Sequence, residues 1–264
     1  IVSALDIPYV TAEEAFSLLQ TELKRFMDLI EALPPRDWSL PTACTAWNVQ
    51  AVVAHQAGGY LSGTGYGEMI RQYSRIRPGR LPEDAINELQ VKERARRTHQ
   101  ELIAELHQVG PAAIKNWAYG FRLLKPIPFP HALAGMLKVR HLMWVIHSRD
   151  TWMHRLDICR AVGRPFQQTP EHDGRINQLV VLDASRELTR RLKGRGMIVN
   201  LSGTAGGRWR IGRGEPQAQL EMDVLDFNLF VSGRLSYVDA MGRARISGDR
   251  VLVENVLQNF LVLF

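Results

Sequence analysis

Three residues from two distant segments of the chain have side chains that could bind one metal ion. His55 lies in the segment AWNVQAVVAHQAGGY, and Asp150 and His154 lie in HSRDTWMHRLDICRA. Because residues four apart share one face of an α-helix, Asp150 and His154 can direct an oxygen and a nitrogen to the same ion. If the two helices are antiparallel neighbours in a bundle, His55 completes a three-ligand site with an open position, as in catalytic metal centres.

The same residues also allow a simpler interpretation. A single His on an apolar helix face is more often a hydrogen-bonded core residue than a ligand, and an Asp–His hydrogen bond would satisfy this pair. Asp150 and His154 nevertheless interrupt an apolar helix, where an unpaired carboxylate is costly. His147 could replace one of the proposed ligands. Asp157 could orient a metal-bound histidine through its second nitrogen, or form a salt bridge with a nearby arginine.

The composition is typical of a soluble globular protein. The chain has 264 residues, of which 45% are hydrophobic and 23% are charged, and this length suits two domains. We find no run of about 18 apolar residues and no recognisable signal peptide, so a membrane span is not expected. The net charge of +6 comes from scattered basic residues, which argues against nucleic-acid binding. The two cysteines, Cys44 and Cys159, are too few for a disulfide framework and indicate the reducing cytoplasm.

Helical periodicity dominates the first 165 residues. Apolar residues recur at helical spacing from Thr11 to Leu33, and Thr11 with Glu14 makes a capping box. Asn48 is a candidate N-cap for the next helix, which places His55 about two turns in. We also predict helices over residues 82–109 and 132–161. The last of these is apolar on most sides and would be the central element of a four-helix bundle.

The pattern changes in the last hundred residues. An amphipathic helix is expected over residues 174–192. The segments MIVNLSG and RWRIGRG flank TAGG and predict a β-hairpin, and AQLEMDV alternates as a further strand. Two short helices are expected over residues 225–233 and 250–264. The sequence therefore predicts an α+β protein, with a four-helix bundle over residues 1–165 and a small α/β domain, including a linking helix, over residues 166–264.

Four segments resemble parts of one protein family. WSLPTACTAWNVQAVVAHQAGGY is similar to the N-terminal signature of the mycothiol-dependent maleylpyruvate isomerase family, which belongs to the DinB-like four-helix bundle superfamily. RDTWMHRLDICRAVGRP resembles the family's second signature, in which a carboxylate and a His four apart precede an Asp and a Gly-x-Pro. FNLFVSGR and ARISGDRVLVENVLQNF resemble its small α/β domain, which is related in shape to sterol carrier proteins. The resemblance covers most of the chain.

The resemblance implies a set of site residues and cofactors. His55, Asp150 and His154 would be the metal ligands, with Asp150 at a position where the family usually has Glu. Arg234, in the segment VSGR, would reach the active site and bind a substrate carboxylate. The implied cofactors are a divalent metal ion and mycothiol, a thiol of actinobacteria. Two histidines and a carboxylate suit zinc best, although non-haem iron uses the same set and nickel is a further candidate.

These observations lead to an expected function. A metal ion lowers the pKa of a bound thiol and keeps it as the reactive thiolate. We expect a metal- and mycothiol-dependent transferase or isomerase that acts on a small electrophile able to carry a carboxylate. Its partners would be that electrophile and a low-molecular-weight thiol, with neither nucleic acid nor membrane involved. The alternative is a non-catalytic protein of the same fold that binds a metal or a lipid.

Overall fold

The computed structural model describes residues 1–44, 47–75 and 82–264. The chain divides into two compact units. The helical unit comprises Val10–Ile127 and Lys138–Phe166, and the α/β unit comprises Ile1–Tyr9, Pro128–Leu137 and Gln167–Phe264. The first nine residues and the segment before Lys138 therefore group with the α/β unit, whereas the sequence analysis assigned them to the bundle.

The helical unit is built from seven α-helices within the described residues: α1 (Ala12–Glu31), α2 (Val49–Ser62), α3 (Tyr66–Tyr73), α4 (Pro82–Glu93), α5 (His99–Ala118), α6 (Val139–His141) and α7 (His147–Ala161). A π-helical turn, Leu142–Ile146, joins α6 to α7. Helix α1 packs against α5 and α7, and α2 packs against α4, α5 and α7. The apolar faces of these helices share one core, which includes Phe26, Trp38, Val52 and Leu106.

The first two predicted helix starts are confirmed. The hydroxyl oxygen of Thr11 accepts a hydrogen bond from the backbone N–H of Glu14 at 3.2 Å and caps α1. The side-chain oxygen of Asn48 accepts one from the N–H of Ala51 at 2.9 Å and caps α2. Such caps satisfy N–H groups that the first turn leaves without a helical partner. Because α2 starts at Val49, His55 lies in its second turn.

The prediction of a single helix over residues 82–109 is wrong. Helix α4 ends at Glu93 and α5 begins at His99, where Thr98 and Glu101 form a reciprocal capping box. These two side chains satisfy backbone N–H groups at a new N-terminus, which favours a second helix over a continuous one. Helix α5 also runs through Pro111 to Ala118, past the predicted end. Pro111 is exposed, so its ring is accommodated at the cost of one helical hydrogen bond.

The predicted helix over residues 132–161 starts later than expected. Two strands, β2 (Pro128–His131) and β3 (Gly135–Lys138), pair as a short ribbon before the helical run begins at Val139. Gly135 has a φ of +67°, a backbone conformation that favours glycine and does not fit a helix. The remainder of the prediction, a buried helical run that ends at Ala161, is confirmed.

The α/β unit also contains β1 (Val2–Ser3), α8 (Asp173–Arg191), β4 (Gly196–Ser202), β5 (Gly207–Gly212), β6 (Pro216–Asp223), α9 (Val224–Val231), α10 (Tyr237–Arg243), β7 (Arg245–Gly248) and α11 (Arg250–Leu257). Its five-stranded sheet has the order β1-β5-β4-β6-β7. Strand β4 pairs antiparallel with β5, which confirms the predicted hairpin, and parallel with β6. Helices from this unit cover the sheet and share a core with it that includes Leu188, Trp209, Leu220 and Phe227. Strands β1 and β7 and helix α10 were not predicted from the sequence.

These elements confirm an α+β protein with a helical N-terminal part. The likeness of the α/β unit to sterol carrier proteins stays a prediction. Among the described helices, none combines the length and the apolar character that a membrane span requires.

Helices α2 and α4 approach each other closely at Gly58. A Cβ atom there would lie 2.5 Å from Cβ of Gln90 and 2.9 Å from a guanidinium nitrogen of Arg94, whereas one at Gly59 would meet open space. We predict that Gly58→Ala lowers the free energy of unfolding by about 1–3 kcal/mol, because the added methyl overpacks this contact. The matched control Gly59→Ala should raise it by about 0.5–1 kcal/mol. Urea denaturation of both variants measures the difference, and equal effects would contradict the close approach.

Candidate metal centre

The carboxylate of Asp150 lies between the imidazoles of His55 and His154. Nε2 of His55 is 3.3 Å from Oδ2 of Asp150, and Nε2 of His154 is 3.4 Å from Oδ1. All three ligand atoms lie within 4.8 Å of one another. The structure therefore brings together the three residues that the sequence selected, from α2 and α7.

The spacing of these atoms is compatible with metal ligands and is long for hydrogen bonds. Nitrogen and oxygen ligands about 2.1 Å from a tetrahedral zinc ion are separated by about 3.4 Å. Hydrogen bonds between N–H and oxygen are most often about 2.9 Å long. Three other polar contacts of the site are shorter than the contacts of the two histidines with Asp150. They are Gln56 to Asp150 at 2.6 Å, His55 to Gln90 at 2.8 Å and His154 to Asp157 at 3.0 Å. The residues present thus fit the metal ion that the resemblance implies.

Each histidine uses its other nitrogen to contact a neighbouring side chain. Nδ1 of His154 faces the carboxylate of Asp157, and Nδ1 of His55 faces the amide oxygen of Gln90. Because a carboxylate only accepts hydrogen bonds, Nδ1 of His154 is the donor. Metal-binding histidines commonly have such a partner, which fixes the ring orientation. Asp157 therefore has the orienting position that the sequence analysis considered for it.

A glutamine that the sequence analysis missed holds the proposed carboxylate ligand. The side-chain N–H of Gln56 donates to Oδ2 of Asp150, and the hydroxyl of Thr151 donates to the amide oxygen of Gln56 at 2.8 Å. Gln56 follows His55 directly and is buried in α2. A buried glutamine in a helix of otherwise mostly apolar residues is the signal that could have identified it. Gln90 carried no comparable signal, because its partner His55 is 35 residues away.

The centre has a covered side and an open side. The side chains of His55 and His154 are 7% and 4% exposed, whereas that of Asp150 is 26% exposed. The ring of Trp47 lies 5.0 Å from the ring of His55 and 5.9 Å from that of His154. Its backbone is held by the hydroxyl of Thr42, which donates to the Trp47 carbonyl at 2.9 Å. Solvent and small molecules thus reach the centre from the side of Asp150.

His147 does not join the three converging residues. Its ring stacks on Trp117 with a centroid distance of 3.8 Å and an interplanar angle of 13°. Burial lowers the pKa of His147 to about 4, so the ring is neutral at physiological pH. Among the described residues, His147 belongs to neither group of potential ligand atoms that lie close together. The stacking contact explains why a histidine is accommodated at this position.

A second group of potential ligands shares His154 with the first. It consists of Cys44, His154 and Asp157, with Sγ of Cys44 3.7 Å from Oδ2 of Asp157. Asp157 faces Nδ1 of His154, so an ion bound there through this nitrogen would remove the Nδ1 proton and its hydrogen bond. The group around Asp150 keeps that hydrogen bond and is therefore the better candidate.

Charge interactions shift two pKa values in the metal-free protein. Burial alone would raise the pKa of Asp150, but the charges of His154 and His55 lower it well below its usual value. Burial alone would lower the pKa of His154, but Asp150 and the hydrogen bond to Asp157 raise it well above its usual value. His154 is therefore protonated at neutral pH and pairs with Asp150. A metal ion has to displace that proton.

Arg234 belongs to the α/β unit. Gly233, with a φ of +78°, ends α9 in a Schellman motif, in which the N–H of Arg234 donates to the carbonyl of Leu229 at 2.7 Å and that of Gly233 donates to Phe230 at 2.9 Å. This motif fixes the direction in which the chain leaves α9. The side chain of Arg234 is half-buried. Its role in an active site stays a prediction.

Fold and site together define an α+β protein with a candidate metal centre in its helical unit. The family model for the mycothiol maleylpyruvate isomerase N-terminal domain matches residues 19–159, which contain His55, Asp150 and His154. The chain therefore belongs to this family.

Two solved structures are similar in fold. One is a mycothiol-dependent maleylpyruvate isomerase, with a TM-score of 0.61 and 15% sequence identity. The other is a histidine-to-alanine mutant described under the same name, with a TM-score of 0.58 and 13% identity. Each comparison covers 94% of this chain and 96% of the other. No curated protein matches the chain.

Removal of any one of the three ligands should abolish metal binding. We predict that the wild-type protein retains stoichiometric zinc after equilibration and desalting, and that His55→Ala, Asp150→Ala and His154→Ala each lose most of it. Each substitution removes one of the three protein donors on which the site depends. Elemental analysis measures the zinc content, and circular dichroism shows whether each variant is folded.

Two further variants serve as controls for this experiment. His147→Phe preserves a ring on Trp117 and should retain zinc, as should Cys44→Ser. Loss of zinc in Cys44→Ser combined with its retention in His55→Ala would assign the ion to the group around Cys44 and contradict the centre around Asp150.

The metal-free protein should lose stability as the pH rises above about 6.5. A raised pKa in the folded state means that protonated His154 contributes its full stabilisation below the unfolded value, and that this contribution is lost as the pH rises through the folded value. We predict a lower free energy of unfolding at about pH 9 than at about pH 6 in EDTA, with a smaller change in His154→Gln. Urea denaturation measures both. Equal pH dependence in the two proteins would contradict the ion pair between His154 and Asp150.

Proposed function

We propose that this protein is a metalloenzyme that uses mycothiol in an isomerase or transferase reaction on a small electrophile. The observation that carries the proposal is the arrangement of His55 and His154, whose Nε2 atoms face Asp150 while both Nδ1 atoms contact buried acceptors. Such an arrangement presents two imidazole nitrogens and a carboxylate to one ion. Membership of the family supports mycothiol as the thiol.

His55, Asp150 and His154 would hold the ion, and zinc suits this donor set. When bound, the ion would lower the pKa of a thiol and keep it as the nucleophilic thiolate near neutral pH. The open side at Asp150 gives a small thiol access to the centre, because this is the most exposed of the three ligands. Trp47 excludes water from the faces of both imidazoles.

The described side chains around the centre favour an external thiol over one from the protein. Cys159 is buried, and Sγ of Cys44 faces the carboxylate of Asp157 at 3.7 Å. The hydrogen bond from Gln56 holds Oδ2 of Asp150 and prevents this carboxylate from rotating freely. The chain thus provides a rigid ion-binding frame, and the nucleophile would come from the cosubstrate.

The substrate is proposed to be a small electrophile that carries a carboxylate. Arg234 is the residue proposed to bind that carboxylate, since a guanidinium can donate two parallel hydrogen bonds to it. We also propose that the α/β unit resembles sterol carrier proteins and that the protein has a cytoplasmic location. The choice between isomerase and transferase depends on the fate of the thiol, which an isomerase returns and a transferase consumes.

We predict that the zinc-loaded protein converts either maleylpyruvate or a member of a panel of small electrophiles only when mycothiol is present. Ultraviolet absorbance follows the electrophile, and a colorimetric thiol assay follows free mycothiol. Conversion at constant thiol identifies an isomerase, and loss of thiol in proportion to electrophile identifies a transferase. His154→Ala should lower the rate by at least about 100-fold, because thiolate formation depends on the ion. No conversion and no thiol loss with any electrophile would overturn the proposal.

The same assay tests Arg234 separately. Arg234→Ala should raise KM by about 10- to 100-fold for electrophiles with a carboxylate, the loss expected for charged hydrogen bonds. Neutral electrophiles of similar size should show an unchanged KM. Equal effects on both groups would exclude Arg234 as the carboxylate-binding residue and leave the metal centre unaffected.

A further inference from the structure

A chain of hydrogen bonds leads from His55 to α3. Nδ1 of His55 lies 2.8 Å from Oε1 of Gln90, Nε2 of Gln90 donates to Oε1 of Gln72 at 2.9 Å, and Nε2 of Gln72 donates to Oε1 of Glu68 at 2.9 Å. Arg71 contacts the far side of this chain by donating to both oxygens of Glu68, at 2.8 and 2.7 Å. Both glutamines are buried, so water does not compete for these contacts.

At Glu68 the direction of the hydrogen bonds, from donor to acceptor, is fixed. The hydrogen bond from Arg71 lowers the pKa of Glu68, which therefore stays ionised and can only accept hydrogen bonds. The amide nitrogen of Gln72 also donates to the backbone carbonyl of Gly58 at 3.0 Å. Because both of these neighbours are acceptors, Gln72 must direct its NH₂ group toward them. Its amide oxygen then faces Gln90.

The direction fixed at Glu68 also determines the direction of the hydrogen bond between Gln90 and His55. Gln90 has to direct its NH₂ group to the oxygen of Gln72, since the opposite orientation would place two amide oxygens against each other. The oxygen of Gln90 is then left to face His55, and it needs a donor. A neutral imidazole carries its proton on either nitrogen, according to the hydrogen bond that the other makes. Nδ1 of His55 therefore carries a proton, and Nε2 is the nitrogen left to bind an ion beside Asp150.

A simple packing role does not explain this arrangement equally well. Two glutamines in contact would satisfy each other in either orientation, and only the attachment to ionised Glu68 selects one of them. The backbone also permits the contact, because a side chain at Gly58 would collide with the Cβ and Cγ atoms of Gln90. The close approach of α2 and α4 thus brings Gln90 within reach of His55.

We propose that Gln90 is a positioning residue that holds the proton of His55 on Nδ1, and that Glu68, through Gln72, sets the orientation of Gln90. This inference rests on the proposed metal centre, since the position of the proton matters to function only if Nε2 binds an ion. It assigns a role in metal binding to α3 and α4, which contribute none of the proposed ligands.

The first test compares two substitutions of Gln90 by zinc affinity, measured by competition with a chromophoric chelator. Gln90→Met preserves the length of the side chain and removes the acceptor, and it should weaken zinc binding by about 10- to 100-fold. Gln90→Glu keeps an acceptor for His55 but loses the donor to Gln72, so it should bind zinc within a few-fold of wild type despite reduced stability. Gln50→Met, on the same helix as His55 but bonded to Arg97, is the control and should leave the affinity unchanged.

The second test observes the proton directly. Nitrogen-15 NMR of the histidine rings in metal-free Asp150→Ala protein at about pH 9 distinguishes the two neutral forms of imidazole, and in this variant no Asp150 carboxylate competes for Nε2 of His55. In this background His55, assigned by comparison with His55→Ala, should carry its proton on Nδ1 both with Gln90 present and in Gln90→Glu. In Gln90→Met and Gln72→Leu a population with the proton on Nε2 should appear. The first variant lacks the amide oxygen that accepts from Nδ1, and in the second the amide of Gln90 is free to turn over.

The outcomes separate this inference from the proposed function. Equal weakening of zinc binding by Gln90→Met and Gln90→Glu would show a packing role and overturn the inference. An unchanged affinity with an unchanged proton position in Gln90→Met would overturn it as well, with the metal centre intact. If His55→Ala itself binds zinc as tightly as wild type, the metal centre and this inference fail together.

Discussion

The negative charge of Asp150, held inside a bundle of apolar helices, is the constraint on which the rest of the site depends. The side chain of Asp150 is only 26% exposed, so its charge is costly unless a partner compensates it. In the metal-free protein the protonated His154 does so, and against the opposing effect of burial the charge of Asp150 raises the pKa of His154. A bound cation would replace the proton with another positive charge. Both forms therefore keep the carboxylate compensated, which lets one set of side chains persist without rearrangement.

The geometry of the site depends on the register between α7 and its neighbours. A shift of one residue along α7 would rotate His154 by about 100° away from His55. The residue that follows His154 opposes such a shift, because buried Arg155 donates to Glu22 of α1 at 2.6 Å. Buried ion pairs contribute little net stability, but breaking one is costly, so they specify one register over others. We interpret the pair between Arg155 and Glu22 in this way.

The sequence predicted what depends on local spacing and missed what depends on contacts across the fold. Asp150 and His154 were identified because a spacing of four residues is a property of the helix itself. Gln90 could not be identified, since only the packing of α4 on α2 brings it to His55. The break between α4 and α5 has a different origin, because Thr98 and Glu101 are a local capping signal that is legible in the sequence and outweighs the helical periodicity around it. Strands β1 and β7 pair with segments that lie far away in the chain. Both strands are too short to show a clear alternation of apolar and polar residues.

Asp150 departs from the glutamate that the family resemblance implies, and the structure shows how the shorter side chain is accommodated. The two imidazoles face different oxygens of Asp150, Oδ2 for His55 and Oδ1 for His154, at nearly equal distances. Gln56 reaches from α2 toward α7 and donates to Oδ2, the oxygen that His55 also faces. An aspartate has one fewer rotatable bond than a glutamate, so a single strong hydrogen bond is enough to fix its carboxylate. The shorter side chain thus gains rigidity from Gln56 while its oxygens stay 3.3 and 3.4 Å from the two histidines.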